Sequence, residues 1–116
     1  ANEREQGGQK IKGYQAIQHK LADMATTLEA ARSLTYRAAS QVEAGNEQTA
    51  TKFASMAKLF ASENAVDIAD EAIQVHGGAG YVSDHSVERI YRDARITKIY
   101  EGTSEIQKNI ISDQII

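Results

Sequence analysis

The chain lacks several residue types and patterns that would assign it to particular classes of protein. It has no cysteine, which excludes disulfides and thiol chemistry, and no proline to interrupt long helices. No apolar run approaches the roughly 18 residues that a membrane-spanning helix needs, so no membrane partner is expected. Acidic residues outnumber basic ones and the net charge is −3, so we expect no nucleic-acid partner.

The remaining composition is that of a single ordinary globular domain covering residues 1–116. Apolar residues make up 41% of the chain and charged residues 25%, which is typical of a folded domain. The histidines His19, His76 and His85 lack the spacing of metal ligands, so no metal is expected. The polar N-terminal segment ANEREQGG has the pattern of neither a signal peptide nor a transit sequence.

Two long helices are predicted from the spacing of apolar residues. From residue 17 onward, steps of four and three predict a helix over residues 12–43, which Gly45-Asn46 would end. A broader apolar face predicts a second helix over residues 47–76 with contacts on two sides. The apolar positions of the first helix are Ile17, Leu21, Met24, Leu28, Ala31, Ala38 and Val42.

The C-terminal part is predicted to hold two shorter helices. Residues 77–85 should form a loop, and Ser86 should cap a helix over residues 86–96. Residues 97–102 should be non-helical, and Thr103 or Ser104 should cap a last helix over 103–115 whose apolar edge is Ile106, Ile110 and Ile111. The predicted fold is therefore all-α, an antiparallel bundle of the four-helix up-and-down type.

The strongest chemical signal is a single carboxylate beside a glycine. Glu101 follows Ile99 and Tyr100 and precedes Gly102, just before the N-terminus of the last predicted helix. Apolar surroundings make a carboxylate a stronger base, and glycine lets a ligand approach the backbone, so Glu101 is a candidate general base. Its position alone favours the alternative, a solvated loop glutamate.

A second candidate is the arginine-rich segment of the third helix. Arg89, Arg92 and Arg95 share roughly one helix face, with Glu88 and Asp93 among them. Such a face suits phosphate, but the neighbouring acids favour internal ion pairing as the explanation.

Five ordered blocks of the sequence resemble the C-terminal helical domain of the flavin-dependent acyl-CoA dehydrogenases. They are LADMAT near Met24, MAKLFASE at 56–63, IQVHGGAGY at 73–81, VERIYRDAR at 87–95 and IYEGTSEIQ at 99–107. The resemblance extends over essentially the whole chain, which corresponds to about the last third of a family member. The N-terminal helical domain and middle β-domain of the family have no counterpart here, so the chain alone is expected to be inactive.

The resemblance implies a reaction, a cofactor and a set of site residues. Glu101 would abstract the α-proton of an acyl-CoA thioester while FAD accepts a hydride, giving the trans-2-enoyl thioester, as in fatty-acid β-oxidation. The Glu101 backbone N–H would hold the thioester carbonyl oxygen, and Tyr100 and Gly102 would contact the substrate. The residues that match FAD-contacting positions of the family are Arg4, Gln15, Gln74, Gly77, Gly78, Thr103 and Glu105.

One position departs from the family pattern, because Gly7 stands where the family usually has phenylalanine. An aromatic contact near the cofactor is therefore missing, and this puts the local cofactor geometry in question.

The resemblance also implies partners and a location. These are an acyl-CoA substrate, an electron-transfer flavoprotein as acceptor and a homo-oligomer, either dimer or tetramer. The location would be cytoplasmic for a bacterial protein and the mitochondrial matrix for a eukaryotic one. Two alternatives stay open, namely a non-catalytic helical oligomerisation module and an acyl-CoA oxidase or reductase with the same site.

Overall fold

The computed structural model of the chain describes all 116 residues and consists mainly of helices, which confirms the predicted fold class. The boundaries agree with the predictions to within a few residues, most closely for α2. The helices are α1 (Gln15–Glu43), α2 (Glu47–His76), α3 (Gly78–Tyr81), α4 (Val87–Ile96) and α5 (Ser104–Ile115). No helix is both long enough and apolar enough to cross a membrane.

The central element of the fold is α2. The helices α1, α3, α4 and α5 all pack against it, which confirms that its broad apolar face makes contacts on two sides. The resulting shape is long and thin, measuring 56 × 24 × 24 Å. Its radius of gyration is 17.4 Å, whereas a compact domain of this length would have about 13 Å.

The predicted seam of α1 is only half correct. Ile17, Met24, Ala31 and Ala38 are buried or half-buried, but Leu21, Leu28 and Val42 are exposed. The second row of the contact is instead the set Lys20, Thr27, Leu34 and Gln41. A single partner helix covers only a narrow strip of α1, and within that strip Lys20 forms an ion pair with Glu71 on α2.

The N-terminal residues form a small hairpin that the sequence did not predict. Strands β1 (Glu5–Gln6) and β2 (Gln9–Lys10) pair antiparallel around Gly7 and Gly8, whose φ angles are 59° and 86°. The hydroxyl of Tyr14 donates to the Gln6 carbonyl at 2.5 Å and occupies the space that a side chain at position 7 would need. The backbone conformation therefore favours glycine at position 7, and a side chain there would require the Tyr14 hydroxyl to move. A short 3₁₀ turn, Ile11–Gly13, leads into α1.

The helix ends follow the predictions in part. Gly45, with a φ of 77°, ends α1, and the Asn46 side chain caps α2 through the Thr49 N–H at 3.2 Å. The prediction for Ser86 was wrong, because this residue already has helical backbone angles and its hydroxyl makes no capping bond. Thr103 does cap α5, accepting from the Ile106 N–H at 3.3 Å. The loop predicted for 77–85 contains the four-residue helix α3.

The core is thin for a chain of this length. Only 11 of the 116 residues are buried, and no large side chain is fully enclosed. Several leucines, isoleucines and tyrosines are 40% exposed or more, including Leu28 on α1 and Tyr81 at the end of α3. The exposed apolar surface is therefore larger than the scattered single side chains that are normal on a folded domain.

Candidate functional site

Glu101 lies in the turn between α4 and α5 and has an unusual backbone conformation. Its φ of 55° is the one positive value among the non-glycine residues of the chain. A left-handed conformation costs a residue with a β-carbon of order 1 kcal/mol or more, so the surroundings must impose it. Such conformations concentrate at functional sites, and here the residue concerned is the candidate base.

Two side chains from different helices bind the backbone of this turn. The Lys58 ammonium on α2 donates to the Gly102 carbonyl at 2.5 Å, and the Gln107 amide on α5 donates to the Glu101 carbonyl at 3.3 Å. Gly102 has a φ of 91°, and a β-carbon there would lie 2.7 Å from the Gln107 amide nitrogen. The positive φ therefore favours glycine at position 102, and a larger residue there would displace the Gln107 amide.

The Glu101 turn borders an open groove of about 460 Å³. Small side chains of α2 form its floor, which leaves room along the helix for an extended apolar group. Its lining residues are Lys58, Ala61, Ser62, Ala65, Thr97, Tyr100 and Glu101. The backbone N–H of Glu101 donates to no protein acceptor and is free to bind a carbonyl oxygen beside the groove.

The predicted apolar surroundings of Glu101 are not present in this domain. Glu101 is exposed, and Ile99 and Tyr100 are 49% and 51% exposed. The groove is open to solvent because nothing in the chain packs over α4 and the Glu101 turn from outside. Any desolvation of the carboxylate must therefore come from a substrate or from another part of the protein.

A second group of predicted site residues lies at the end of α2. The Arg4 guanidinium donates to the His76 carbonyl at 2.8 Å and lies against Gly77, where a β-carbon would be 3.5 Å from the Arg4 Nη1. The φ of Gly77 is 67°, and Gly78 has open space where a β-carbon would be. No carboxylate lies within 4 Å of Arg4, so most of its donors remain free.

The same end of α2 brings together residues that the sequence keeps apart. Arg4, His76 and His85 line a pocket of about 300 Å³, together with Glu3 and other residues. The rings of His76 and His85 are 5.9 Å apart, a proximity that their spacing in the sequence did not indicate. His76 Nδ1 lies 2.8 Å from the Ala72 carbonyl, which fixes the ring against the last turn of α2.

The predicted site residues therefore form two groups and not one. Lys58, beside Glu101, and His76, beside Arg4, are separated by about 27 Å along the axis of α2. Because α1 and α2 are antiparallel, Gln15 at the start of α1 lies at the Arg4 end. Gln74 is also at that end, and both glutamines are exposed.

Thr103 and Glu105 belong to the Glu101 group, at the N-terminus of α5. The pKa of Glu105 is lowered because its carboxylate accepts a hydrogen bond from its own backbone N–H and, second, from the Thr103 hydroxyl. An ionised carboxylate in the first turn also interacts favourably with the helix dipole. In this domain, therefore, Glu105 and Thr103 together stabilise the start of α5.

The expectation of internal ion pairs for the α4 arginines was wrong. Arg89, Arg92 and Arg95 are all exposed, and none has a carboxylate oxygen within 4 Å. Helical spacing places acids near these arginines in sequence, but exposed side chains on a short helix gain little from pairing in water.

Two residues of the Glu101 group were missed by sequence reasoning. Lys58 is a cation inside the alanine-rich face of α2, and Gln107 is a buried amide on the inward face of α5. The predicted apolar edge of α5 was partly wrong, since Ile106 is 49% exposed while Ser104 and Gln107 are buried. A polar residue within an apolar stripe was the available signal for Lys58.

Comparison with known proteins identifies the family. A family model described as the acyl-CoA dehydrogenase C-terminal domain matches residues 1–116. The chain belongs to this family. The five blocks of sequence from LADMAT to IYEGTSEIQ therefore resemble the family because the chain is a member of it.

Individual relatives match the whole of this acyl-CoA dehydrogenase domain. It is 51% identical over 116 residues to the caffeyl-CoA reductase-Etf complex subunit CarC of Acetobacterium woodii, covering 30% of that protein. It is 52% identical to the mitochondrial short-chain specific acyl-CoA dehydrogenase of Bos taurus, covering 28% of it. The structure of butyryl-CoA dehydrogenase from Megasphaera elsdenii superimposes with a TM-score of 0.94 at 42% identity, over 97% of this chain and 29% of that one. The chain thus spans about 30% of the length of its relatives.

The residues at the Arg4 end are suited to the diphosphate of a flavin dinucleotide. A guanidinium with unused donors suits phosphate oxygens, and the free space at Gly78 allows a ligand to approach the backbone. At position 7, where the family usually has an aromatic residue, the Tyr14 hydroxyl occupies the space next to the glycine.

Proposed function

We propose that the chain is the base-bearing domain of an FAD-dependent acyl-CoA dehydrogenase. The proposed reaction is the α,β-dehydrogenation of an acyl-CoA thioester to the trans-2-enoyl thioester, with Glu101 as general base. The observation that carries the proposal is the left-handed conformation of Glu101, in a turn bound by Lys58 and Gln107 beside a groove floored by small side chains. The remainder of the enzyme would supply the cover that the groove lacks.

Each of the chain's own site residues would have a separate role in the reaction. The Glu101 carboxylate takes the α-proton, and the Glu101 N–H binds the thioester oxygen on which negative charge develops. Tyr100 and Gly102 border the position of the acyl group. FAD, when bound, supplies the acceptor for the hydride that leaves the β-carbon.

The residues that would hold FAD lie in both groups, about 27 Å apart along α2. One flavin dinucleotide would contact Thr103 and Glu105 near the base. The Arg4 group, which also includes Gln15, Gln74, Gly77 and Gly78, would hold the diphosphate of a second copy's dinucleotide. This division accounts for the presence of cofactor-type residues at two separate places.

The reductase direction is a second candidate function. The Acetobacterium relative is named as a caffeyl-CoA reductase subunit, while the bovine relative is named as a dehydrogenase, at nearly equal identity. In the reductase direction Glu101, in its protonated form, would deliver the α-proton, so the same geometry serves both directions. Comparing flavin reduction by acyl-CoA with flavin reoxidation by enoyl-CoA would separate them. An electron-transfer flavoprotein is the proposed redox partner, in line with the Etf complex in the name of the Acetobacterium relative.

We also propose that the domain takes part in a homo-oligomer, either a dimer or a tetramer. The apolar face of α2 is not the surface for this association, since both sides of α2 are covered within the chain. The uncovered apolar surface lies instead on α1, where Leu21, Leu28 and Val42 are exposed at intervals of seven or fourteen residues. Burying such a row against another helix is the usual way in which helical domains associate.

Sedimentation of the flavoprotein that contains this domain would test the proposed association. Replacing both Leu21 and Leu28 by Glu should shift the protein towards smaller oligomers or monomer, because the replacement would place charges in the interface. The matched control replaces Ser33 and Ser40 by Glu, two exposed positions that lie about 100° or more around α1 from the leucines. An unchanged size for the leucine variant would exclude this surface as the interface.

The base assignment is tested by Glu101→Gln in the same flavoprotein. The amide is nearly isosteric but cannot accept the α-proton, so flavin and thioester binding should persist. The rate of flavin reduction should fall by at least about 10²–10⁴-fold, the usual contribution of a general base. Stopped-flow recording of flavin absorbance after mixing with acyl-CoA measures this rate.

Glu105→Gln is the matched control, four residues further along the chain. It should weaken cofactor retention at most and leave the rate of flavin reduction nearly unchanged. Reduction of the Glu101→Gln flavin within tenfold of the parent rate would show that the base lies elsewhere in the protein.

A further inference from the structure

The contact between Lys58 and Gly102 is not explained by ordinary surface charge. Lys58 is half-buried, its ammonium has no carboxylate within 4 Å, and its hydrogen bond of 2.5 Å goes to a backbone carbonyl on another segment of the chain. A half-buried ammonium without a counter-ion is costly unless its donors are used. The acceptor it uses is the carbonyl immediately after the candidate base.

The geometry of the turn shows what this bond restrains. Gln107 holds the carbonyl of Glu101, and Lys58 holds the next carbonyl, that of Gly102. Both peptide planes on the carboxyl side of Glu101 are therefore fixed from two different helices. On the other side, the Tyr100 N–H donates to the Ile96 carbonyl at 3.1 Å, at the end of α4.

Neither Gln107 nor the backbone bond that closes the turn, from the Ser104 N–H to the Lys98 carbonyl at 3.1 Å, connects the turn to α2. The Gln107 bond is longer, at 3.3 Å, and both Gln107 and Thr103 belong to α5 or its cap, so they move with that helix. Lys58 is the side chain that ties the turn to α2, the helix that forms the floor of the groove. Lys58 is thus a direct connection between the turn that carries the carboxylate and the floor of the groove.

We propose that Lys58 is a positioning residue for Glu101: by holding the Gly102 carbonyl, it keeps the base in its left-handed conformation at the edge of the groove. The expected effect of Lys58 on flavin reduction rests on the proposed function of Glu101 as the base. The restraint of the turn itself does not depend on that function and is measured separately.

The test uses Lys58→Met in the flavoprotein that contains this domain. Methionine retains most of the aliphatic stem but cannot donate to Gly102. At saturating acyl-CoA, flavin reduction should slow by about 10- to 100-fold, since small misplacements of a catalytic group have effects of that size. The dissociation constant for acyl-CoA should change much less. Lys58→Arg, which keeps a cationic donor, should recover most of the rate.

A readout independent of activity is amide hydrogen exchange in the turn. Peptides covering residues 98–104 should exchange faster in Lys58→Met, because their tie to α2 is lost. The control is Lys52→Met on the same helix. It removes the same charge, but the Lys52 ammonium lies over the Phe53 ring, 5.3 Å from its centroid. It should alter neither the exchange of the turn nor flavin reduction.

The outcomes separate the two hypotheses. If Glu101→Gln abolishes flavin reduction but Lys58→Met stays within twofold of the parent, the positioning role is wrong and the base assignment stands. If Glu101→Gln still reduces flavin, the base assignment fails, and the exchange of residues 98–104 alone decides whether Lys58 restrains the turn. Loss of folding or of flavin binding in Lys58→Met would also overturn the proposal, because it would make Lys58 a general stability residue.

Discussion

Two cations in this domain make the same kind of bond in two different settings. Arg4 donates to the carbonyl of His76, just before Gly77, and Lys58 donates to the carbonyl of Gly102. In both cases a long cationic side chain from a distant segment holds backbone at a glycine of positive φ. The two places are about 27 Å apart along α2.

The difference between them lies in exposure and in the number of free donors. Arg4 is exposed, uses one donor for His76 and presents the rest of its guanidinium beside glycine backbone. Lys58 is half-buried, and its ammonium is directed at the turn. The same bond type thus leaves Arg4 able to take a ligand and makes Lys58 a restraint.

The largest difference between the two cations is expected in FAD binding, and Arg4→Met in the flavoprotein tests it. Removing charge-assisted hydrogen bonds of about 1.5–3 kcal/mol should weaken FAD binding by roughly 10- to 100-fold. The molecules that retain FAD should reduce it at nearly the parent rate, which is the opposite of the pattern expected for Lys58→Met. Titration of the apoprotein with FAD, followed by flavin fluorescence, measures the affinity.

Arg32→Met is the control for Arg4. Arg32 is exposed and pairs only with Glu29 in its own helix, so FAD affinity should not change. Equal FAD affinity in Arg4→Met and the parent would mean that Arg4 only caps the end of α2, and the two cations would then have the same structural role.

A smaller effect is expected from Thr103→Ala, which tests whether α5 holds the Glu101 turn independently of Lys58. Loss of the cap should weaken the start of α5 by about 1 kcal/mol, or roughly fivefold in the amide exchange of Ile106. Thr35→Ala is the control, because the Thr35 hydroxyl only donates back to Ala31 within α1. Equal exchange of Ile106 in Thr103→Ala and the parent would exclude a capping role.

The effect of Thr103→Ala should also depend on pH. The folded-state pKa of Glu105 is lowered, first by its own N–H and then by the Thr103 hydroxyl. The stabilisation is therefore present above the ordinary carboxyl pKa and is lost as the pH falls through the folded-state value. The difference in urea unfolding between parent and variant should be larger at neutral pH than in acid. The reverse order would contradict the assigned hydrogen bond.

Local signals predicted much of the fold because they act over a few residues. The boundaries of α2, the stop at Gly45 and the cap at Thr103 follow from apolar period, glycine conformation and hydroxyl capping. The hairpin at residues 5–10 was missed because it is polar and short. Its signal was the Gly7-Gly8 pair, of which Gly7 was interpreted only as a departure from the family pattern.

Features that depend on which surfaces meet were predicted less well. The exposed flank of α1 could not be identified, because residues on either side of Ile17 and Met24 serve equally well until a partner helix is placed. The α4 arginines were assigned partners by spacing, although the folded chain gives them none within reach.

The sequence by itself determined the helical class, the family and the identity of the candidate base, since periodicity and the IYEGT motif are properties of short segments. Only the tertiary structure decided that Lys58 and Gln107 hold Glu101, and that Arg4 lies at His76 and Gly77, 72 positions or more along the chain. It also decided that the two groups of site residues lie far apart on α2. The physical reason is that hydrogen bonds between distant segments depend on how α2 brings its neighbours together, and no local pattern records that geometry.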